Sequence, residues 1–228
     1  MSQNRGKQKR LEKHRQKRDL ARRKEAAKTL SFPTSAGGLV RLAVTCPPGP
    51  SFVSAGWDDE ETPSLVSVVV TRALADGTFL PAMALVDRTC LGVKNGYVGK
   101  PMTPSDLKSF LARVGDAHGG IEQVDLLVAQ SIVFHAIDYA GSLGFEPHRD
   151  FSNELFGPRP DTLIVTPFAH SPKPLYVAGP SDVPGRVMAQ LDAAVGRGAY
   201  DFTVPVGDTF YETVDVAELE EGDNSQWE

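Results

Sequence analysis

The pattern of apolar and polar residues that marks the core of the chain begins at residue 65. Residues 65–74 are mostly apolar and rich in β-branched side chains, and residues 78–86 repeat that composition. Between them stands Asp76-Gly77, a pair that favours the tight turn of a hairpin because both residues tolerate positive φ angles. The pattern predicts a β-hairpin over residues 65–86.

Two helices are predicted after the hairpin. Thr103 followed by Pro104 has the order of an N-cap and a first helical residue, so a helix should run to residue 114 and end at Gly115. The second helix spans residues 123–143, is apolar on most sides and is followed by Gly144, a residue typical of helix C-termini. We expect this second helix to be central and well buried.

The remaining elements define the fold class. Residues 162–166 and 174–178 are short strand candidates, Ser181 or Asp182 should cap a helix that runs through residue 195, and residues 200–206 form a last strand. A hairpin followed by alternating helices and strands predicts an α/β or α+β fold. We expect a small mixed sheet with a hairpin, a long buried central helix and flanking helices.

The pattern also divides the chain into segments. Residues 31–64 are rich in loop-forming residues and contain one predicted edge strand, residues 39–45, which Cys46-Pro-Pro-Gly-Pro50 ends. Residues 65–206 form the predicted single compact core. Residues 1–30 and 207–228 flank it and differ from it in charge.

Composition favours a globular protein of the cytoplasm. The 228 residues carry a net charge of −5, and the two cysteines, Cys46 and Cys90, are too few for a disulfide scaffold and lack the spacing of a zinc site. No run of about 20 apolar residues predicts a membrane span. The basic N-terminus is not followed by the apolar stretch of a secretory signal. We expect a cytoplasmic protein that does not associate with membranes.

The net charge hides a strong segregation. Residues 1–28 contain twelve Lys or Arg and only three Asp or Glu, a net charge of +9, which leaves −14 on the other 200 residues. Residues 1–30, here called the basic arm, have too little apolar surface to fold alone, so the arm should be disordered or helix-prone. A polyanion would neutralise it, and RNA or the ribosome fits best because each neutralised phosphate releases counterions.

Ten basic residues of the arm are the candidates for contacting nucleic acid: Lys7, Lys9, Arg10, Lys13, Arg15, Lys17, Arg18, Arg22, Arg23 and Lys24. The alternative is a solvated tail without a partner.

The C-terminus has the opposite charge. Residues 207–228 form a predicted acidic tail, in which residues 212–228 hold seven Asp or Glu and no Lys or Arg. We hypothesise an intramolecular contact in which residues 212–228 compete with nucleic acid for the basic arm.

Three short stretches carry candidate catalytic residues. Asp87 ends the second hairpin strand near Cys90, His135 and Asp138 lie one turn apart on the central helix, and the loop after that helix contains His148 and Asp150. Carboxylates and imidazoles are ligands for a divalent cation, so a metal-dependent hydrolase or nuclease is the alternative function. Each stretch also has an ordinary structural interpretation: a buried cysteine, a satisfied core histidine and a helix-exit loop. No cofactor is expected apart from that cation.

Parts of the core resemble a set of bacterial hypothetical proteins. The similar stretches are Val86-Asp-Arg-Thr-Cys-Leu-Gly-Val-Lys94, residues 136–151 with their Leu-Gly-Phe-Glu-Pro-His-Arg-Asp-Phe sequence, and residues 173–182 with the helix that follows. The resemblance spans about residues 65–205 and implies a Lys/Arg-rich arm followed by one compact domain, and a bacterial origin. It implies no reaction, so nucleic-acid association through the arm ranks first, with the acidic domain making protein contacts or regulating access.

Overall fold

The computed structural model describes residues 35–58, 65–117, 119–164, 173–206 and 210–215. Five helices are present in these ranges: α1 (Ala36–Val44), α2 (Pro104–Asp116), α3 (Leu126–Ser142), α4 (Asn153–Phe156) and α5 (Pro184–Ala194). Eight strands accompany them: β1 (Ser51–Ser54), β2 (Leu65–Ala73), β3 (Phe79–Asp87), β4 (Gly92–Val98), β5 (Ile121–Val124), β6 (Leu175–Val177), β7 (Asp201–Val206) and β8 (Phe210–Asp215).

The chain divides into two compact units, Met1–Leu42 and Ala43–Glu228. The second unit contains all eight strands, and the division between the units falls within helix α1. None of the described helices combines the length and the apolar character that a membrane crossing requires. The basic arm and residues 216–228 lie outside the described residues.

A five-stranded antiparallel sheet forms the first layer, in the order β4-β3-β2-β1-β5. Strands β2 and β3 form the predicted hairpin, paired from Leu65 opposite Asp87 to Ala73 opposite Phe79. Its turn has the predicted chemistry, because Asp76 Oδ1 accepts hydrogen bonds from the amide and hydroxyl of Thr78 and Gly77 has a φ of 83°. The hairpin prediction is confirmed.

Two helices cover the two faces of this sheet. Helix α2 packs Leu107, Phe110 and Leu111 against Val69 of β2. Helix α3 packs on the opposite face, where Gly92 lets β4 approach it closely: a Cβ at Gly92 would lie 2.7 Å from the Ala136 carbonyl oxygen. Eight residues of α3 are buried, so the prediction of a buried central helix is confirmed.

A second sheet has the order β6-β7-β8, with β6 and β7 parallel and β7 and β8 antiparallel. Helix α5 connects the two parallel strands, as the predicted strand–helix–strand order requires. Tyr176, Leu191 and Tyr200 of this part form an apolar cluster with Cys90 and Leu143, which come from the first sheet and from the end of α3. The molecule is therefore a mixed α/β protein, as predicted.

Several elements differ from the sequence prediction. Helix α5 has Val183 at its N-cap position, so the prediction that Ser181 or Asp182 caps it is wrong. The predicted edge strand over residues 39–45 is wrong, because residues 36–44 form α1, whose N-cap Ser35 accepts a hydrogen bond from the Gly38 amide at 3.2 Å. The strand in residues 31–64 is β1, which is internal to its sheet. Helix α3 begins at Leu126, and the residues before it form β5. Strand β8 lies inside the predicted acidic tail, and residues 162–164 form no strand.

The C-terminus of α3 gives a test of this fold. Gly144 has a φ of 81°, and the amides of Phe145 and Gly144 donate to the carbonyls of Ala140 and Gly141, the two hydrogen bonds of a Schellman motif. A Cβ at Gly144 would also overlap the side-chain amide of Gln190 in α5.

Gly144→Ala should therefore lower the free energy of unfolding by at least about 1 kcal/mol in urea denaturation, because an L-residue is strained at this φ. Gly141→Ala is the matched control, since a Cβ there meets nothing within 4 Å. It should leave stability unchanged or raise it by up to about 1 kcal/mol, because alanine favours helix. Equal effects of the two substitutions would contradict this account of the cap.

Candidate functional site

The densest cluster of buried polar groups surrounds the turn between β3 and β4. Asp87 ends β3 with 1% of its surface exposed. Its Oδ1 accepts hydrogen bonds from the Thr89 amide at 2.9 Å, the Thr89 hydroxyl at 2.9 Å and the Cys90 amide at 3.1 Å. The carboxylate therefore holds the turn in shape. Burial raises the pKa of Asp87, against the opposing effects of these hydrogen bonds and of the charge of Lys94.

A largely buried ion pair lies next to this turn. Lys94 Nζ of β4 is 2.9 Å from Asp182 Oδ2, and the two side chains are only 14% and 15% exposed. Asp182 also accepts hydrogen bonds from the Gly179 amide at 2.8 Å and the Tyr176 hydroxyl at 3.4 Å. A Cβ at Gly179 would lie 3.0 Å from Lys94 Nζ, so the glycine leaves room for the ion pair. The pair joins the first sheet to the segment between β6 and α5.

Cys90 and Tyr139 complete the cluster. Burial raises the pKa of the fully buried Cys90 thiol, and the negative charge of Asp87 raises it further. Burial likewise raises the pKa of Tyr139 to about 12, and its hydroxyl donates to the Thr89 carbonyl oxygen at 3.3 Å. Both groups stay protonated at neutral pH. Cys90 therefore has the environment of a structural cysteine rather than of a thiolate nucleophile.

His135 and Asp138 lie together on α3, and both hold the segment that follows α4. His135 Nε2 is 2.9 Å from the Ile164 carbonyl oxygen. Asp138 accepts two hydrogen bonds from Arg159, at 2.8 Å and 2.5 Å, and these bonds lower the pKa of Asp138. The Arg159 guanidinium also lies 5.7 Å from the ring centroid of Phe134. The two candidate residues thus act as anchors for residues 159–164.

His148 and Asp150 lie together in the loop after α3. His148 Nδ1 is 3.9 Å from Asp150 Oδ2 and accepts a hydrogen bond from the Asp150 amide at 3.3 Å. The His148 amide donates to the Val93 carbonyl oxygen, and the backbone of Phe151 and Asp150 packs against Gly96 so closely that no side chain would fit there. This loop therefore docks on β4, and the two side chains remain partly exposed at its surface.

The five candidate catalytic residues thus occupy three local settings. Asp87 orders a turn, His135 and Asp138 anchor a segment, and His148 and Asp150 interact within one loop. Among the described residues, no three His, Cys, Asp or Glu side chains form a group suited to hold a metal ion. Three cavities of about 450, 350 and 340 Å³ are lined by other residues, and none of the five candidates contributes to them.

Sequence reasoning missed several polar contacts in the interior. The Lys94–Asp182 pair joins residues 88 positions apart, and Arg72 and Gln130 are charged or polar residues at buried positions of β2 and α3. A signal for Arg72 was present, because it follows Val66, Val68 and Val70 at alternate positions of one strand and so shares their inward face.

No family model, no curated protein and no solved structure matches the chain.

The ion pair can be tested by a double-mutant cycle. Lys94→Met should lower the free energy of unfolding by about 3 kcal/mol, because it leaves the Asp182 carboxylate buried without its counter-charge. Lys94→Met combined with Asp182→Asn should cost less than the sum of the two single substitutions. Arg197→Met is the control: Arg197 is 79% exposed and pairs with Asp192, so its loss should cost at most about 1 kcal/mol. Strictly additive effects in the cycle would rule out the coupling.

Asp87 should make stability depend on pH. Because its pKa is raised in the folded protein, its contribution to stability is complete below the unfolded pKa of about 4 and is lost as the pH rises through the folded value. Asp87→Asn removes this loss. Its free energy of unfolding, relative to the parent protein, should therefore increase as the pH of urea denaturation is raised from about 4 to about 7.

Asp138→Asn is the control for this measurement. The pKa of Asp138 is lowered in the folded protein, so its contribution is present above the unfolded pKa and is lost on acidification. The difference between Asp138→Asn and the parent should change with pH in the opposite direction. The same trend in both variants would contradict the assignment for Asp87.

Proposed function

We propose that this protein is an RNA-associated protein, bound to RNA or to the ribosome through its basic arm. The observation that carries the proposal is the charge segregation: +9 on residues 1–28 against −14 on the rest of the chain. A globular domain of strongly negative charge is repelled by a polyanion, so attraction must come from the arm. Each phosphate that the arm neutralises releases counterions and adds affinity without sequence preference.

The acidic domain has a role in this proposal. Its charge opposes close approach to phosphates, which limits nonspecific coating of nucleic acid and leaves its surface for protein contacts. Beyond β8, residues 216–228 add five acids and no Lys or Arg. We infer that these acids compete with RNA for the arm and so make binding easier to reverse.

The settings of the candidate catalytic residues support binding over catalysis. Asp87, Asp138 and Asp182 each accept hydrogen bonds or ion pairs from the chain itself, which leaves these carboxylates engaged in holding turns and segments. A metal-dependent hydrolase would need carboxylates converging on one open point. The alternative function receives no such support from the part of the chain that the structure describes.

Binding can be tested by co-sedimentation with bacterial ribosomes and bulk RNA at increasing salt. The full chain should bind, and a variant lacking residues 1–30 should not. With about six phosphate contacts on single-stranded RNA, affinity should fall about 300-fold between about 50 and 200 mM salt.

A matched control is a variant in which residues 2–30 are shuffled, so that composition and charge stay the same. A second variant replaces the ten candidate Lys and Arg residues of the arm by Gln. The shuffled arm should retain binding and the Gln variant should lose it, because the attraction depends on charge. If the variant lacking residues 1–30 sediments with RNA as well as the full chain does, the proposal is wrong.

A further inference from the structure

Asparagine followed by glycine occurs once in the chain, at Asn95-Gly96 in the middle of strand β4. Strand β4 is an edge strand of the five-stranded sheet, so one side of its backbone has no neighbouring strand. The Asn95 side chain is exposed, and Gly96 has no Cβ to shield its backbone nitrogen. An amide side chain and an unshielded backbone nitrogen therefore stand next to each other in contact with solvent.

The backbone amide of Gly96 points away from the sheet. Across the β3–β4 pair, the Gly99 amide donates to the Pro81 carbonyl oxygen. The register from residue 95 to residue 98 of β4 is unbroken, and residues that hydrogen-bond to the neighbouring strand alternate along an antiparallel pair. Asn95 thus has the same direction as Gly99, and the Gly96 amide points toward the open edge. The ladder between β3 and β4 does not hold this nitrogen.

The Asn95 side chain is turned back onto this amide. The Gly96 nitrogen lies 2.8 Å from Asn95 Oδ1, to which it donates a hydrogen bond. Because Oδ1 is bonded directly to Cγ, the side-chain amide carbon also lies beside the nitrogen. These are the two atoms that become bonded when an asparagine cyclises to a succinimide, and holding reacting atoms together accelerates such a step.

The geometry points to Asn95-Gly96 as a site of spontaneous deamidation in the folded protein. Hydroxide removes the Gly96 amide proton, and the nitrogen forms a bond to Asn95 Cγ. The Cγ–Nδ2 bond then breaks, and Nδ2 leaves as ammonia with a proton taken from water. Water finally opens one of the two C–N bonds of the ring, which gives either aspartate or isoaspartate at position 95.

The modification acts on the loop that docks on β4. A Cβ at Gly96 would lie 2.3 Å from Phe151 Cα, so strand and loop pack here without spare space. Isoaspartate lengthens the backbone by one carbon atom before Gly96, which shifts this contact and the pairing with β3 beyond it. Aspartate adds the charge alone. Isoaspartate should therefore loosen the loop, including the hydrogen bond from the His148 amide to the Val93 carbonyl oxygen.

Peptide mapping by mass spectrometry tests this inference after prolonged incubation of the full chain in mildly alkaline buffer. The peptide that contains Asn95 should gain about 1 Da and separate into aspartate and isoaspartate forms. Asn153 is the control within the same chain, because it is also exposed but is followed by Glu154, whose Cβ crowds the attacking nitrogen. Asn95 should convert at least about tenfold faster than Asn153. Equal rates at the two positions would overturn the proposal.

Two further measurements separate the folded site from the bare dipeptide and assign the consequence. The same incubation in urea shows what the unfolded chain does, and conversion confined to urea would overturn the proposal, because the folded strand would then protect Asn95. Asn95→Gln should abolish the mass change, since glutamine would have to close a larger ring. Hydrogen exchange of the His148 amide should become faster in the isoaspartate form and stay unchanged in Asn95→Asp. Unchanged exchange in the isoaspartate form would rule out the effect on the loop.

Discussion

The buried carboxylate of Asp87 is the contact on which most of the second unit depends. Its three hydrogen bonds fix the turn after β3, and this turn then presents two groups to the second sheet. The Thr89 carbonyl oxygen accepts a hydrogen bond from the Leu175 amide at the start of β6, and Cys90 packs with Tyr176 in the apolar cluster. A carboxylate this deeply buried is tolerated only when its acceptor sites are filled, because desolvation of an unpaired charge costs several kcal/mol. The shape of the turn and the docking of the second sheet therefore depend on each other.

The same physical requirement shapes the segment from α4 to residue 164, which has little regular structure. Its backbone groups are satisfied by side chains of β2 and α3 instead of by a neighbouring strand. Arg72 and Gln130 donate to carbonyl oxygens of residues 155–158, and Ser131 Oγ accepts from the Ile164 amide at 2.9 Å. His135 and Asp138 belong to this set of anchors. The polar side chains of the largely apolar helix α3 thus serve mainly as hydrogen-bond partners for the backbone of this segment. This explains why a helix with few exposed faces contains so many polar residues.

This use of polar residues bears on function. A cluster of Asp, His and Lys at the junction of strands and loops is a usual place for catalysis, but the same residue types also order turns. Here the carboxylates of Asp87, Asp138 and Asp182 already have partners within the chain. The strongest concentration of one charge in the sequence is the basic arm, with a net charge of +9 over residues 1–28. The proposed binding of a polyanion therefore rests on the arm.

The sequence by itself determined the elements whose signals are local. The Asp76-Gly77 turn, the Thr103 cap and Gly144 each act within a few residues, so the hairpin, α2 and the end of α3 were predictable. Residues 39–45 were misread because a short apolar run fits a strand or a helix, and the Ser35 cap lies outside it. Only the tertiary structure decided that β1 is internal, that Lys94 meets Asp182, and that Arg72 donates to the Leu155 carbonyl oxygen. These outcomes depend on contacts between residues far apart in the chain. A local sequence pattern does not specify which distant backbone group or charged side chain will lie next to it in the folded protein.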